Sequence, residues 1–306
     1  LCFGGLVMNQ DMDLVFQINE KLNRAGMDSI SAGHCVAFAM ECFEAGILTT
    51  QDTQGVELGW GDPLAISFLV DAMIKREGIG DILADGVKAA SQKIGKRSHE
   101  MAVHAGGQEP GMHDSRNDPG FALHYSADPA PGRHTNGAGL YYEMYQLWKV
   151  VKGLPRPGLV YMKKSKYKAD PKQAKAGKAN SEYLNVLNGA GVCLFGAFLG
   201  ARRIRVFDWI NGATGWNLAP EKYMEMGKNI QTLKQAFNLK QGLDPVKMKI
   251  SGRPLGDPAQ TRGANKNRQV DLDFLVREYW QHFGWDPETG KPHPETIKAI
   301  TSMALD

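Results

Sequence analysis

Apolar side chains recur at helical spacing through the first hundred residues, with polar side chains between them. Intervals of three and four residues between apolar positions are typical of amphipathic helices. Ser31 can cap the second of these helices and Gly46 can end it, while Asp62 followed by Pro63 is a common helix start. The predicted helices cover 11–24, 31–46, 62–78 and 80–94. Helices so close in sequence are expected to pack into one helical unit.

The pattern changes between 101 and 139, where glycine, proline, histidine and aspartate dominate and no helical spacing is visible. A long irregular segment inside a compact protein is uncommon and is usually functional. Helical spacing returns at 141–151, 182–187, 194–209, 220–239 and 273–283. The sequence therefore predicts a mainly α protein with two packed helical domains, 1–103 and 104–306, and a Gly/Pro/His-rich irregular segment at their junction.

Composition and charge narrow the class of protein. Of the 306 residues, 42% are apolar and 23% are charged, as in a globular chain, and the net charge of +3 is too small to indicate a nucleic-acid partner. No apolar run approaches the roughly 20 residues that a membrane-spanning helix needs. Four cysteines in this length favour a reducing, cytoplasmic compartment over a disulfide scaffold. Because the chain opens at Leu1 without an initiator methionine or signal peptide, we expect a fragment.

A lysine-rich stretch lies in the second half of the chain. The segment 163–178 holds seven lysines and few apolar residues. This composition is typical of a solvated surface insertion. A docking patch for an acidic electron-transfer partner is the alternative.

A seven-residue phrase occurs twice, at 23–29 and 188–194. Each copy reads Asn-x-x-Gly and then an aliphatic residue, followed by Asp28 in the first copy and Cys193 in the second. An asparagine amide can pair with the edge of a heterocycle, and glycine lets the backbone approach a ligand closely. Asn and Gly are also common where helices end. Spacing alone therefore leaves two interpretations open, a paired ligand site and a pair of ordinary helix caps.

The cysteines offer one candidate metal ligand. As a thiolate, Cys193 could bind iron or zinc, and as a thiol it would be a small core residue. No Cys-x-x-Cys occurs, so this chain alone does not supply a four-thiolate cluster from a usual motif. Cys35 and Cys42 lie roughly ten ångströms apart along one predicted helix and cannot share a metal directly.

Two histidines lie in glycine-flanked, irregular backbone. His113 and His134 both belong to the segment in which helical spacing is lost. Imidazole titrates near neutral pH and is the usual proton shuttle of enzymes. Their setting makes these two histidines the candidates for proton transfer, with a structural or surface role as the alternative.

Several further stretches carry a family resemblance. They are Phe38-Ala39-Met40-Glu41, the run 76–86, the run 109–116 and the C-terminal run 279–296 with Gly284-Trp285-Asp286. Together with the repeated phrase, they resemble the C-terminal two-thirds of the tungsten- or molybdenum-dependent aldehyde ferredoxin oxidoreductases. The repeated phrase is similar to the paired motif of that family, Asp-x-x-Gly-Leu-(Asp or Cys), and 109–116 is similar to its Glu-x-Pro-x-(Tyr or His)-Asp-Pro-Arg. The resemblance covers essentially 1–306.

The resemblance implies a metal, tungsten or molybdenum, held by two pterins (molybdopterin type) between a β-rich N-terminal domain and two helical domains. Each helical domain would bind one pterin through its motif. The implied pterin-binding residues are Asn23, Gly26 and Asp28 in the first motif and Asn188, Gly191 and Val192 in the second. Cys193 is similar to the fourth ligand of a [4Fe–4S] cluster whose other three ligands would lie outside this chain.

The resemblance also implies a reaction. A small aldehyde and water would give a carboxylate, with two electrons leaving through the cluster to ferredoxin or another electron-transfer subunit. His134 is the implied general acid/base, and His113 would position or polarise the substrate. Activity would require the N-terminal domain, and a homodimer is compatible with the sequence.

One departure from the family motif keeps other functions open. Asparagine stands at 23 and 188, where the family has a carboxylate, and an amide accepts hydrogen bonds at one atom only. One alternative is the active-site subunit of a tungsten reductase acting on acyl- or aryl-coenzyme A thioesters, with Cys35 as a tungsten ligand. The other is a cofactor-free helical interaction module.

Overall fold

The computed structural model describes residues 1–157, 169–199 and 205–303. Its α-helices are, in chain order, α1 (Met12–Ala25), α2 (Ser29–Glu44), α3 (Pro63–Lys75), α4 (Ile79–Leu83), α5 (Gly86–Ile94), α6 (Pro119–Ala127), α7 (Gly139–Tyr145), α8 (Pro171–Gly189), α9 (Leu194–Leu199), α10 (Val206–Thr214), α11 (Pro220–Lys240), α12 (Leu272–Phe283) and α13 (Pro294–Met303). Within the described ranges, β structure is limited to two isolated bridges. The predicted mainly α class is confirmed.

The chain divides into two compact units, Leu1–Met112 and His113–Asp306. The predicted domain boundary, at 103/104, lies within the first unit. Among the described helices, none is long and apolar enough to cross a bilayer.

The first unit is built around a helix that is apolar on all sides. Val36, Ala39 and Met40 of α2 are each fully buried, whereas α1 buries one stripe, through Leu14, Ile18 and Leu22. Helices α1, α3 and α5 pack against α2, and α3 packs against α4. Burial on all sides is expected of a helix at the centre of a small core.

Two predicted helix boundaries in this unit are wrong. The N-cap of α2 is Asp28, whose Oδ1 accepts a hydrogen bond from the Ser31 N–H at 2.7 Å, so Ser31 is the group that is capped. The predicted helix 80–94 is two helices, because Gly86 has φ +87° and the Glu109 carboxylate, buried beside it, accepts from the Val87 N–H at 2.7 Å.

The second unit is centred on α8, which packs against α11 and α12 and also contacts α6 and α7. Helices α8 and α11 approach very closely at Gly227, where a Cβ atom would lie 2.1 Å from the carbonyl oxygen of Glu182. The facing side chains are largely polar. The Asn185 amide donates to Gln231 Oε1 at 2.8 Å, and the Ser181 hydroxyl lies 2.8 Å from the Tyr279 hydroxyl. Because these buried polar groups bond to one another, their burial is compensated.

Three predictions about helices in this unit need correction. The segment 101–139 contains α6, which Asp118 caps through the Gly120 N–H at 2.9 Å, and Asp118-Pro119 is the same start signal as Asp62-Pro63. Helix α8 is much longer than the predicted 182–187. It begins at Pro171, because Asp170 caps its first turn as Asp118 caps that of α6. The predicted helix 194–209 corresponds to α9 and α10, which flank residues outside the described ranges.

The lysine-rich segment is only partly described. Residues 163–168 lie outside the described ranges. Lys172 and Lys175 are exposed on the first turns of α8, and half-buried Lys178 pairs with the buried Glu182 carboxylate. The part that is described is therefore helical surface rather than an insertion without structure.

Candidate functional site

The first copy of the repeated phrase forms a corner between α1 and α2. The Gly26 N–H donates to the Asn23 carbonyl at 3.3 Å, and the Met27 N–H donates to the Leu22 carbonyl at 2.9 Å. Gly26 has φ +69°, which is the left-handed conformation that ends many helices. Asp28 follows at once as the N-cap of α2. The chain thus leaves one helix and enters the next within three residues.

The second copy forms an equivalent corner between α8 and α9. The Gly191 N–H donates to the Asn188 carbonyl at 3.2 Å, and the Val192 N–H donates to the Leu187 carbonyl at 2.9 Å. Gly191 has φ +68°. Cys193 then accepts the first hydrogen bond of α9 at its carbonyl. The sequence repeat is therefore a repeat of one backbone corner, in which both phrases are helix caps.

The polar side chains of the corners remain available to a ligand. Asn23 and Asn188 are exposed, and neither side chain has a hydrogen-bond partner in the part of the chain that the structure describes. No described atom lies within 4 Å of a Cβ built on Gly26 or Gly191, so the backbone at both corners is open on that side. A pterin presents amino and ring N–H donors and ring acceptors, which an exposed amide can match in part. The residues present therefore fit a pterin edge, with one acceptor atom where a carboxylate would offer two.

Cys193 is the exposed member of the four free cysteines. Among the described residues, no group of three or more His, Cys, Asp or Glu side chains is arranged to hold a metal ion. Cys193 offers a single exposed thiol, which as a thiolate can bind a metal.

Cys35 has the properties of a buried thiol. Its side chain on α2 is 2% exposed within the apolar core of the first unit. Burial raises the pKa of Cys35 far above its usual value, and the negative charge of Glu109 adds to the effect. Burial likewise raises the pKa of Cys42 to about 12, with a smaller contribution from Glu41. Enclosure by the apolar core also separates the Cys35 sulfur from any metal bound outside that core.

The two candidate histidines are neighbours in the second unit. The His113 ring stacks on Phe121 of α6 at a centroid distance of 4.3 Å and lies 5.3 Å from the His134 ring, tilted by 32°. His113 is exposed as a residue. Partial burial lowers the pKa of His113, positive charge on His134 lowers it further, and the carboxylate of Asp118 opposes both. Near pH 7, His113 is therefore a neutral imidazole with one donor and one acceptor nitrogen.

Asp118, which sequence reasoning did not single out, ties together the elements around the histidine pair. Its Oδ1 accepts from the N–H groups of Gly120 at 2.9 Å and Gly139 at 3.1 Å, and its Oδ2 accepts from the Leu140 N–H at 2.9 Å. One buried carboxylate thus caps both α6 and α7. The Asp118-Pro119 pair is the sequence signal that could have identified Asp118 as the cap of α6.

A second set of polar contacts holds the backbone next to His113. Asp114 forms an ion pair with Arg116 at 2.9 Å and accepts from the Asn265 amide at 2.7 Å. Arg268 donates to the side chains of Asn117 at 3.0 Å and Asn265 at 2.7 Å. The loop that carries His113 is therefore anchored to residues about 150 positions away, which no local pattern could indicate.

Comparison with known proteins places the chain in a family. The family model described as aldehyde ferredoxin oxidoreductase, domains 2 and 3, matches residues 1–301. This chain belongs to that family. The predicted family membership is confirmed, and the members of known function that it resembles are tungsten-containing oxidoreductases.

Two relatives illustrate the likeness. The chain is 29% identical over 299 residues to a tungsten-containing aldehyde ferredoxin oxidoreductase of Pyrococcus abyssi, with 95% of this chain and 46% of the relative covered. It is 27% identical over 293 residues to an aliphatic sulfonate oxidoreductase, WOR-like subunit, of Pyrococcus furiosus, with 91% and 41% covered. The chain therefore spans about half the length of the curated relatives it matches.

A solved structure shares the fold. The active-site complex BamBC of benzoyl coenzyme A reductase, in complex with 1,5-dienoyl-CoA, superimposes with a TM-score of 0.65 at 21% identity, over 98% of this chain and 48% of that chain. At this identity the likeness shows the fold alone.

Proposed function

We propose that this chain forms the two helical domains of a tungstopterin iron–sulfur oxidoreductase that oxidises an aldehyde to a carboxylate and passes the electrons to ferredoxin. The supporting observation is the pair of equivalent helix–glycine–helix corners, each with an exposed asparagine, in a chain whose family contains tungsten enzymes. Each corner offers a ligand the same kind of polar contact. The four free cysteines suit a reducing compartment such as the cytoplasm.

The proposed cofactor contacts follow the corners. The side chains of Asn23 and Asn188 would meet the pterin edges, beside the backbone of Gly26 and Gly191. At the second corner, the Val192 backbone would also contact the pterin. At the first corner, Asp28 would contact the pterin through Oδ2, the oxygen that does not cap α2. Cys193 would donate its thiolate to a [4Fe–4S] cluster completed outside this chain.

The reaction needs proton transfer as well as electron transfer. One aldehyde and one water give one carboxylate, two electrons and three protons. The tungsten centre, when bound, would supply the two-electron oxidation and the cluster would carry the electrons away. A ring nitrogen of His134 would accept a proton from the attacking water. Neutral His113 would donate its N–H to the aldehyde oxygen, which makes the carbonyl carbon more electrophilic.

A second candidate function is reduction of acyl- or aryl-coenzyme A thioesters. The fold likeness to benzoyl coenzyme A reductase favours it. The burial of Cys35 argues against the version in which that cysteine binds tungsten, because its side chain is enclosed by the core of its own unit. The third possible function is a cofactor-free interaction module, which the experiment distinguishes from the two enzyme functions.

The test is a dye-reduction assay on protein produced together with any coding sequence that precedes Leu1, in cells that make tungstopterin. Aldehydes and aryl-coenzyme A thioesters are offered separately, with a low-potential viologen as the electron acceptor or donor. We expect aldehyde-dependent viologen reduction, and we expect His134→Ala to lower kcat on the order of a hundredfold, as for loss of a general acid/base. His99→Ala, at an exposed position of the first unit, is the matched control and should keep the wild-type rate.

The outcomes separate the three functions. Turnover of thioesters alone would replace aldehyde oxidation with the reductase function. A folded protein without tungsten, molybdenum or turnover would leave the interaction module. Turnover of aldehydes that His134→Ala leaves unchanged would keep the activity and remove His134 from the mechanism.

A further inference from the structure

The loop that carries His134 is closed by a buried carboxylate. Asp128 caps the C-terminus of α6 and is 6% exposed. Its Oδ1 accepts from the Ala130 N–H at 2.9 Å and from the Asn136 side-chain amide at 2.8 Å. The same amide nitrogen of Asn136 donates to the Ala130 carbonyl at 3.1 Å. The two ends of the loop are thus joined directly.

His134 and Asn136 belong to one short turn, the 3-10 helix His134–Asn136. The orientation of this turn is therefore tied to the position of the Asn136 amide. Immediately after the turn, Gly137 packs so closely that a Cβ atom there would lie 2.4 Å from Nε2 of buried His124. The backbone that bears His134 is therefore held by the hydrogen bond between Asn136 and Asp128 and by the close packing of Gly137.

The other oxygen of Asp128 is held by the helical core of the second unit. Its Oδ2 accepts from the Gln231 amide at 2.6 Å and faces the Ser181 hydroxyl at 3.4 Å. Gln231 is itself fixed by the Asn185 amide, which donates to its Oε1 at 2.8 Å. The carboxylate therefore connects the His134 loop to α8 and α11, which pack against each other in this unit. Neither Asp128 nor Asn136 is used in the proposed reaction.

We propose that Asp128 and Asn136 are positioning residues that hold the His134 ring beside the His113 ring. Asn136 transmits the position of the buried Asp128 carboxylate to the turn, and the stack of His113 on Phe121 fixes the other ring. The catalytic consequence rests on the proposed function, since it matters only if the two histidines handle protons. The structural consequence does not, and it can be measured without a cofactor.

The experiment uses the 306-residue chain and follows the ring signals of His113 in an NMR titration. In the wild type, positive charge on His134 lowers the pKa of His113, while Asp118 opposes this. His134→Ala should therefore raise the pKa of His113. We expect Asn136→Ala to raise it as well, because the His134 ring is no longer held nearby. In the Asn136→Ala background, His134→Ala should then have little further effect.

Ser181→Ala is the matched control. It removes a hydroxyl that faces the same carboxylate from the core side and leaves both contacts of Oδ1 in place. A general loss of packing would change the pKa of His113 in both variants, whereas loss of positioning changes this pKa in Asn136→Ala only. If Asn136→Ala does not fold, Asn136→Ser, which keeps a shorter donor, is measured in its place.

The proposal is overturned if His134→Ala raises the pKa of His113 equally with and without the Asn136 side chain. It is also overturned if Ser181→Ala changes the pKa of His113 as much as Asn136→Ala does. In the loaded enzyme, Asn136→Ala should lower kcat about tenfold or more at little change in KM, as expected for misplaced catalytic groups. A chain that shows the NMR effect but oxidises no aldehyde would retain the positioning role and lose the proposed function.

Discussion

Asp28 and Cys193 occupy the same backbone position in two corners 165 residues apart. Each follows a left-handed glycine by two residues, and each carbonyl accepts the first hydrogen bond of the next helix, from Ala32 at 3.0 Å and from Ala197 at 2.9 Å. Their side chains differ in what they do. The Asp28 carboxylate caps its helix, whereas the Cys193 thiol is exposed. One corner is thus completed within the chain, and the other presents a side chain suited to an external ligand.

Replacing these two residues should have unequal effects on stability. Asp28→Ala removes a side-chain cap and should lower the free energy of unfolding by about 1 kcal/mol. Cys193→Ala removes a side chain that has no hydrogen bond to the described residues and should change it by less than about 0.5 kcal/mol. Urea denaturation of the two variants measures the difference. Equal losses would mean that Cys193 also stabilises its corner.

The two corner glycines should resist substitution for a reason that involves no contact. Gly26→Ala and Gly191→Ala should each cost about 1 kcal/mol, because both glycines have φ near +70° and a side chain is strained there. Gly189, in the last turn of α8, is the control, since neither a positive φ nor a close neighbour restricts it. Gly189→Ala should be neutral or slightly stabilising in thermal denaturation. A neutral Gly191→Ala would show that the left-handed corner is not retained.

The cysteines should differ in their reaction with iodoacetamide at pH 8. Cys193 is exposed and should be alkylated readily in the folded chain. Cys35 and Cys42 should remain unmodified, because burial blocks access and raises the pKa of both thiols, to about 12 for Cys42. Mass spectrometry of tryptic peptides reports each site. Rapid labelling of Cys35 in folded protein would restore it as a candidate metal ligand.

Stability should fall in mildly acidic solution, in part because of His34. Its Nε2 lies 2.8 Å from the Pro110 carbonyl, and burial lowers the pKa of the ring. The unfolded chain therefore takes up a proton near pH 6.5 that the folded chain binds only at lower pH, so stability is lost as the pH falls through that window and is full above it. His34→Gln keeps a donor for Pro110 without titrating.

The measurement is the urea midpoint at pH 7.5 and at pH 5.5. His34→Gln should reduce the difference between the two midpoints without abolishing it, because burial also lowers the pKa of His104 and His113. An unchanged difference would exclude His34 from the acid response.

The sequence predicted most closely the helices that bury a single apolar stripe. Helices α1 and α12 begin within one residue of the predicted starts, because a stripe of apolar residues marks them. Most of α8 escaped prediction since Asn180, Ser181 and Asn185 lie on its buried face and disguise the periodicity. Helix α6 escaped because it is buried on nearly all sides, so its sequence shows no apolar stripe at helical spacing.

Sequence reasoning likewise found some residues of the candidate site and missed others. His113 and His134 stood out because titratable side chains lay in irregular backbone, and the structure brings their rings to 5.3 Å. Their anchors could not be found in this way. Asp118-Pro119 signals a helix start but not the contacts of Asp118 with Gly139 and Leu140. Asp128 holds partners up to 103 residues away, which leave no local sequence signal.

Cys193 gives the proposed cluster its own test. Cys193→Ser should abolish the iron–sulfur signal in the electron paramagnetic resonance spectrum of the loaded protein, because the ligand is lost while serine remains compatible with the corner. Cys2→Ser, at a half-buried free cysteine, is the control and should keep the signal. A cluster signal that survives Cys193→Ser would assign its ligands elsewhere.

The metal content of the protein tests the central claim most directly. The protein is purified with any coding sequence that precedes Leu1, from cells that load the Pyrococcus furiosus aldehyde ferredoxin oxidoreductase with tungsten in a parallel preparation. We predict about one tungsten or molybdenum atom per chain together with cluster iron, as a pterin-bound redox centre requires. A fully folded protein that contains neither metal, when the parallel preparation is loaded, would contradict the account.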